Sequence, residues 1–527
     1  MMIASAPAPV DKSKATSSFE PYRNYLIFLF GTCVYLLPFM RILVRGTDEG
    51  TFDYGAVRIV HGQVFARDFF EVMGPGTFYW LAAFFKIFGI SFFASRVSLF
   101  LLSAGTALVM YFLSRRVCSR YKLLPCLILA GAYFGGLWPA VSHHVDSNFF
   151  ALLSVACMVL WIDRGSNKYL FAAGAVAAAT TTFLQPKGVF LFCAFAAWLL
   201  IQHIRKAAPL SSFGYLVGGY ASVIGVVAIY FWQHGALASL IDDNFLWPSK
   251  HYEAVNSVYY GQGILLNYWS HFVVVKEGFR WTIGMGILLM IPILLVAGLP
   301  VLLPAVSTPF LRRRMKPEIL LYALSGAAMW LSEIHRKEMA HIIFGSPLLI
   351  ILFVYFMGEY RGRVARIALQ LFAITSALLV AFNLCLTFTA HAEETRVGPI
   401  AMFKPSPALT FLNEHIAPGE EIFAYPYCPR FYFWSGATNP TRYSLLIYNY
   451  NTPDQFREVV RVLEERKVKY VLWDASFRSK TAVTFFPSAA DAPVGGLIME
   501  PYLESHYTLV TTEEGIRILM RKDDGPN

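Results

Sequence analysis

Charge is scarce in this 527-residue chain, with Asp, Glu, Lys and Arg making up only 15% of it. Cysteine is scarcer, with seven in all. Cys33, Cys126, Cys157, Cys193 and Cys385 lie in apolar stretches and Cys118 in a basic loop, which leaves Cys428 alone outside them. That distribution excludes a disulfide framework and a cysteine-based metal site. No strand–Gly-x-Gly-x-x-Gly–helix fingerprint and no Gly-x-x-x-x-Gly-Lys-Ser/Thr loop is present, so no nucleotide cofactor is expected. Fixed-period repeats and low-complexity tracts are absent too.

Apolar residues fill the space instead. The chain is 56% hydrophobic with a mean hydropathy of +0.50, and apolar runs of about 20 residues recur through its first three-quarters. The expected class is a polytopic α-helical membrane protein. Spans are predicted near 25–44, 92–114, 121–139, 146–162, 168–184, 188–204, 213–233, 281–303, 318–332, 341–358 and 366–389, about 11 transmembrane helices. The formal charge of +10 could suggest nucleic acid, but its placement argues otherwise. Basic residues gather in short alternate loops: Arg115, Arg116, Arg120 and Lys122; Arg205 and Lys206; Arg312, Arg313, Arg314 and Lys316; Arg361, Arg363 and Arg366. This is the positive-inside pattern, and it orients the chain. Thr77–Gly89 is too short to span about 30 Å at 1.5 Å per residue and is predicted to lie near the outer interface.

Parity then places outside the loops 45–91, 140–145, 185–187, 234–280 and 333–340, with everything after 390. Residues 1–24 form a cytoplasmic tail in which Lys12, Lys14 and Arg23 precede an uncleaved signal anchor. Residues 25–390 form the transmembrane domain. Composition changes near His391, and 391–527 reads as an external, soluble α/β domain. Pro405–Ile416 is expected to be helical and Glu421–Tyr425 a strand. Thr452-Pro453-Asp454 opens an amphipathic helix with Phe456, Val459, Val460 and Leu463 on one face, followed by a strand at Lys469–Trp473 and a hairpin of Tyr507–Val510 with Ile516–Met520.

The first outer loop is long and holds Asp48, Glu49, Asp53, Asp68 and Glu71. Phe52, Ala56, Ile59, Val60 and Gln63 follow helical spacing, which puts Asp48 and Glu49 at a helix N-terminus, where the dipole favours ionised carboxylates. The plainer reading is an N-capping acid pair. Asp48-Glu49-Gly50 followed by Tyr54, Ala56, His61-Gly62, Arg67-Asp68, Gly74-Pro75 and a segment ending in Phe88-Gly89 resembles the first outer loop of the GT-C glycosyltransferases, nearest their protein O-mannosyltransferase-like and lipid A aminoarabinose transferase-like branches. The resemblance covers roughly 25–390 in topology and is specific over about 45–115. Phe65-Ala66-Arg67-Asp68 departs from the usual Pro-Tyr pair, and Gly74-Pro75-Gly76 from a Pro-Pro. The resemblance implies that Asp48, with Glu49, is catalytic and that Asp68 and Glu71 line the substrate cavity.

A second acid, Asp146, stands in Ser142-His143-His144-Val145-Asp146 where a span begins. It could simply cap that helix. The resemblance instead has an acid here facing the first across the cavity, and His143, His144 and Asp146 could together hold a divalent metal ion. A lipid-phosphate leaving group needs cations. Lys187, Arg336 and Lys337 are the outer candidates, although a lysine near a span end commonly snorkels. His341, ahead of Ser346-Pro347, resembles the His-to-Pro segment of the superfamily. His251 lies among Trp247, Tyr252, Tyr259, Tyr260, Tyr268 and Trp269, which suit either a membrane interface or sugar stacking.

The reading expected from sequence is a bacterial inner-membrane glycosyltransferase. It moves a sugar from a polyprenyl-phosphate donor to an acceptor hydroxyl on a glycan, lipid or protein, with inversion and with Asp48 as general base. Its partners are lipids, not nucleic acid. A transporter or flippase for lipid-linked saccharides is the rival from another class, and a surface-polysaccharide polymerase or ligase the rival from the same one. Transporters place ionisable groups at mid-membrane, whereas here the spans hold few and the acids crowd the outer loops.

Overall fold

The computed structural model describes residues 20–42, 46–133, 140–252, 258, 260, 291–300, 302–304, 306–307, 316–360 and 362–522. The start of the expected 281–303 span, the aromatic residues Tyr259, Tyr268 and Trp269, and the basic residues Arg312, Arg313, Arg314 and Arg361 lie outside them.

The chain is a multi-pass helical membrane protein. Among the described residues six helices are long and apolar enough to cross a bilayer: Tyr22–Arg41, Phe92–Val117, His143–Arg164, Gln185–Ile204, Ser211–Gln233 and Arg363–Thr387. Met339–Gly345 and Pro347–Glu359 would make a seventh, bent by 68° at Ser346. Pro347 supplies no backbone N–H at that break, which is why the helix turns there. Helices also occupy Leu124–Ala132, Lys168–Phe183, Ile291–Pro300 and Pro317–Glu333, at the positions of the other expected spans. Outward positions such as Phe30, Val226 and Ile374 are exposed, as lipid-facing side chains are. Helices Lys168–Phe183 and Ser211–Gln233 approach so closely that a Cβ at Gly174 would strike the Leu216 carbonyl, and one at Gly219 the Phe171 carbonyl. Small residues permit this backbone contact, the usual device for packing helices in lipid.

Two short helices of the first loop, Gly46–Val60 and Gly76–Phe88, pack against each other. The second is 13 residues long, and its Phe78, Leu81 and Phe85 are buried. After Thr387 the chain becomes mixed α/β. β1 (His391–Glu393) pairs antiparallel with β2 (Ile400–Met402). β3 (Ile422–Tyr425), β4 (Tyr470–Asp474), β5 (Tyr507–Glu513) and β6 (Ile516–Arg521) form a sheet of order β3-β4-β6-β5, in which β3 and β4 are parallel and the other pairs antiparallel. Helix Pro453–Glu465 lies in the β3–β4 crossover. It starts with a capping box between Thr452 and Gln455 and buries Phe456, Val459 and Leu463.

The apolar core does not stop at the end of the helices. Phe431, Tyr432, Phe433 and Trp434 join the same cluster as the first-loop residues Phe52, Tyr54 and Phe78. Tyr432 stacks on Tyr54 at 4.7 Å and Phe433 on Phe85 at 5.8 Å. Gly50 faces the backbone of Arg430 so closely that a Cβ there would collide with it. The C-terminal region is thereby seated directly on the helix that carries Asp48 and Glu49.

Candidate active site

Asp48 and Glu49 occupy the first turn of helix Gly46–Val60, and the pair divides its tasks. Asp48 is half-buried and accepts a hydrogen bond from the Tyr427 hydroxyl at 2.9 Å. Burial, and then the Asp48 charge, pushes the Tyr427 phenol well above its usual range, so it remains a donor. Glu49 points the other way. It is fully buried and meets the equally buried Arg96 guanidinium at 2.5 Å. Arg96 also lies 4.3 Å from the Phe92 ring. One turn on, Asp53 accepts a hydrogen bond from the Ser95 hydroxyl at 2.7 Å. Its carboxyl rises to about 7, mainly through burial. Glu49 and Asp53 thus pin the loop helix to helix Phe92–Val117, while Asp48 turns to Tyr427.

The other first-loop acids divide as well. Asp68 pairs with Arg67 at 2.8 Å and accepts the Val64 N–H at 2.6 Å. The Arg67 bond first, with help from that backbone N–H, lowers its carboxyl below the usual range. It closes its own turn. Glu71 is buried and rises to about 8, chiefly by desolvation.

Several expected roles change. Asp146 is not the cap of its helix, because Ser142 is, accepting the His144 N–H at 3.3 Å. Asp146 instead accepts from the Thr77 hydroxyl at 2.9 Å. The expected His143–His144–Asp146 metal triad is likewise not assembled. Asp146 turns to Thr77, and His143 lies between Phe52 and His144, with ring centroids at 5.5 and 3.9 Å. His144 instead shares a cluster with Glu333 and His341, whose ligating atoms lie within 4.8 Å of one another.

Lys187 does not snorkel, and no loop exists at 185–187, because helix Gln185–Ile204 begins there. Its ammonium is fully buried, 2.7 Å from Glu333, 2.7 Å from Asn148 Oδ1 and 3.0 Å from Ser147 Oγ. A phosphate would have to displace these partners, so Lys187 is not a free phosphate ligand. Arg336 is buried and holds Glu338 at 3.1 Å, and Glu338 approaches His341 at 2.8 Å. Burial would raise the Glu338 carboxyl, but Arg336 and His341 hold it far below the usual range. The Asp48 charge also acts on Arg336, and the Arg336 guanidinium lies 5.3 Å from the Phe486 ring, which in turn meets Tyr427. Lys337 is exposed. His251 lies against Trp247 at 5.2 Å and lines a cavity of about 470 Å³ together with Tyr448, Asn449 and Pro453. The structure therefore joins Asp48, Arg336 and His341 around one region, with His251 on its margin.

Four participants were not picked out as site residues from sequence: Arg96, Glu333, Glu338 and Tyr427. Arg96 carried a signal, since a charge five residues into an apolar span needs a buried partner. Tyr427 carried none, because its partner lies 379 positions earlier.

Residues 73–232 match the family model described as dolichyl-phosphate-mannose-protein mannosyltransferase. No curated protein sequence matches the chain. Two solved structures resemble it along nearly its whole length, both of ArnT from Cupriavidus metallidurans. The form bound to undecaprenyl phosphate has 11% identity and a TM-score of 0.57, with 97% of this chain and 100% of that one covered. The apo form has 12% identity and a TM-score of 0.58, with 96% and 100% covered. From the first loop helix to the C-terminal sheet, this chain has the fold of those ArnT structures.

Proposed function

We propose that the protein is a glycosyltransferase of a bacterial inner membrane that takes its sugar from a polyprenyl-phosphate donor. Asp48 is its general base on the outer face. The observation that carries this reading is the asymmetry of the first helical turn. Glu49 is spent on a buried ion pair, while half-buried Asp48 accepts a hydroxyl hydrogen bond, from Tyr427. An acceptor hydroxyl in the place of the Tyr427 hydroxyl would give its proton to Asp48. Its oxygen would attack the anomeric carbon, and the bond from that carbon to the phosphate oxygen would break on the opposite face. The product is inverted, and the electron pair leaves on the lipid phosphate. Exposed Lys337 is the cation suited to receive that charge, and Arg336, kept in its pair with Glu338, adds positive field near Asp48. The undecaprenyl phosphate bound to the ArnT homologue represents the lipid class we assign to the donor. The acceptor hydroxyl belongs to a glycan, lipid or protein.

The test is transfer of labelled sugar from a polyprenyl-phosphate donor in membranes containing the full chain. Label should appear in a glycosidic product from the wild-type chain. Movement of intact lipid-linked sugar across the bilayer without a new glycosidic bond would favour the flippase class instead.

A further inference from the structure

We propose that His144, Glu333 and His341 form a binding site for a divalent transition-metal ion of the zinc class. Three separate helices bring them together. His144 comes from the first turn of His143–Arg164, Glu333 is the last residue of Pro317–Glu333, and His341 belongs to the first turn of Met339–Gly345. One ligating atom from each lies within 4.8 Å of the others. Side-chain rotation can close that set on an ion whose bonds are about 2.0–2.2 Å. Two imidazoles and one carboxylate are a donor set that borderline divalent ions favour.

Burial supplies an independent argument. Glu333 is fully buried, and its carboxylate is met by Lys187 at 2.7 Å and by His144 at 2.8 Å. A desolvated carboxylate is costly unless positive charge is brought to it, and its remaining lone pairs can take a coordinated cation. Lys187 is not dedicated to this carboxylate, since its ammonium also donates to Ser147 and Asn148.

The surroundings resemble a supporting shell. Glu338 lies 2.8 Å from Nδ1 of His341 and is anchored by Arg336 at 3.1 Å. That arrangement fixes the ring and leaves Nε2 for an ion, as carboxylate–histidine pairs do around metals. Phe344 stacks flat on His144, with centroids at 5.1 Å and planes 4° apart. Three protein ligands leave a coordination position open. On the glycosyl-transfer reading, that position takes a phosphate oxygen of the lipid donor. This role rests on that reading, whereas binding of the ion does not.

The experiment uses the full chain purified in detergent without chelators, with metal content measured by mass spectrometry. Chelator-treated protein is then titrated with cobalt(II) and its visible spectrum recorded. Equimolar metal and a cobalt spectrum of a low-coordinate nitrogen–oxygen site are expected. Both should vanish in His144→Ala and His341→Ala variants that still elute as monodisperse protein. Glu338→Gln should weaken cobalt binding by about 10–100-fold, the range for supporting-shell partners. Lys187→Met should retain the ion. Metal-free wild-type protein with no cobalt spectrum overturns the proposal, and so does a spectrum unchanged in the His144→Ala/His341→Ala double variant. If metal binds but no sugar is transferred, the site stands and the glycosyl-transfer reading fails. Full transfer by metal-depleted protein removes the role assigned to the ion.

Discussion

Replacing Glu49 by Gln should destabilise the protein far more than replacing an ordinary surface acid. The Glu49–Arg96 pair has both side chains essentially inaccessible and oxygen and nitrogen 2.5 Å apart. Removing one partner leaves the other charge buried without compensation, and such losses run to about 3–5 kcal/mol. An exposed pair would cost about 0.2–1 kcal/mol. Two guanidinium nitrogens of Arg96 already lack a hydrogen-bond partner, and the other acid within its field, Asp53, is held by the Ser95 hydroxyl. The reverse substitution, Arg96→Met, should be comparably harmful. Combining the two should restore much of the loss, because the charges then leave the interior together and Met packs against Phe92. The assay is chemical denaturation in detergent, followed by tryptophan fluorescence, for wild type, both single variants and the double variant. A loss below about 1 kcal/mol in Glu49→Gln, or simple additivity in the double variant, would refute the claim that this pair anchors the loop helix.

Two further outcomes follow from burial and topology. Glu71 holds its proton in the folded state up to about pH 8 but releases it near 4.5 when unfolded. Its contribution is complete below pH 4.5 and is lost as pH rises through 8, with a slope of about 1.4 kcal/mol per pH unit in between. Glu71→Gln should therefore flatten the fall of stability between those values, and an unchanged slope in denaturation series at several pH values would contradict it. Burial raises Asp53 and Asp243 in the same direction, to about 7 each, so the difference between variant and wild type isolates Glu71. For orientation, a cysteine at Gly495 should react with an impermeant thiol reagent on osmotically opened cells, and one at Arg120 should be protected. The opposite pattern would place Asp48 in the cytoplasm.

What could be read from the sequence followed the range of the interactions. Helix positions were legible because hydropathy is local, and so was the shortness of the Thr77–Gly89 segment. The capping box at Thr452 and the face of Phe456, Val459 and Leu463 were legible for the same reason. Asp48 was singled out through motif resemblance. Its division of labour with Glu49 depended on Arg96, which lies across a helix contact. Lys187 was misjudged because sequence placed it in a tight outer turn, whereas the helix starts two residues before it and buries its ammonium against Glu333. The His143–His144–Asp146 grouping failed for a related reason. Neighbours along one helical turn point in different directions, and the partners of His144 come from residues 333 and 341. The seating of the C-terminal region on the first loop left no local trace, since its contacts join residues near 50 to residues near 430.

The central claim is that Asp48 takes the proton from the acceptor hydroxyl, and transfer by Asp48→Asn in membranes tests it most directly. Asn keeps the shape and can still accept the Tyr427 hydrogen bond but cannot take up a proton. A positioned general base contributes about 10²–10⁴ in rate. The account predicts normal insertion, near-normal stability and transfer from the polyprenyl-phosphate donor reduced by about that factor. Wild-type transfer rates in a well-inserted Asp48→Asn protein would contradict it.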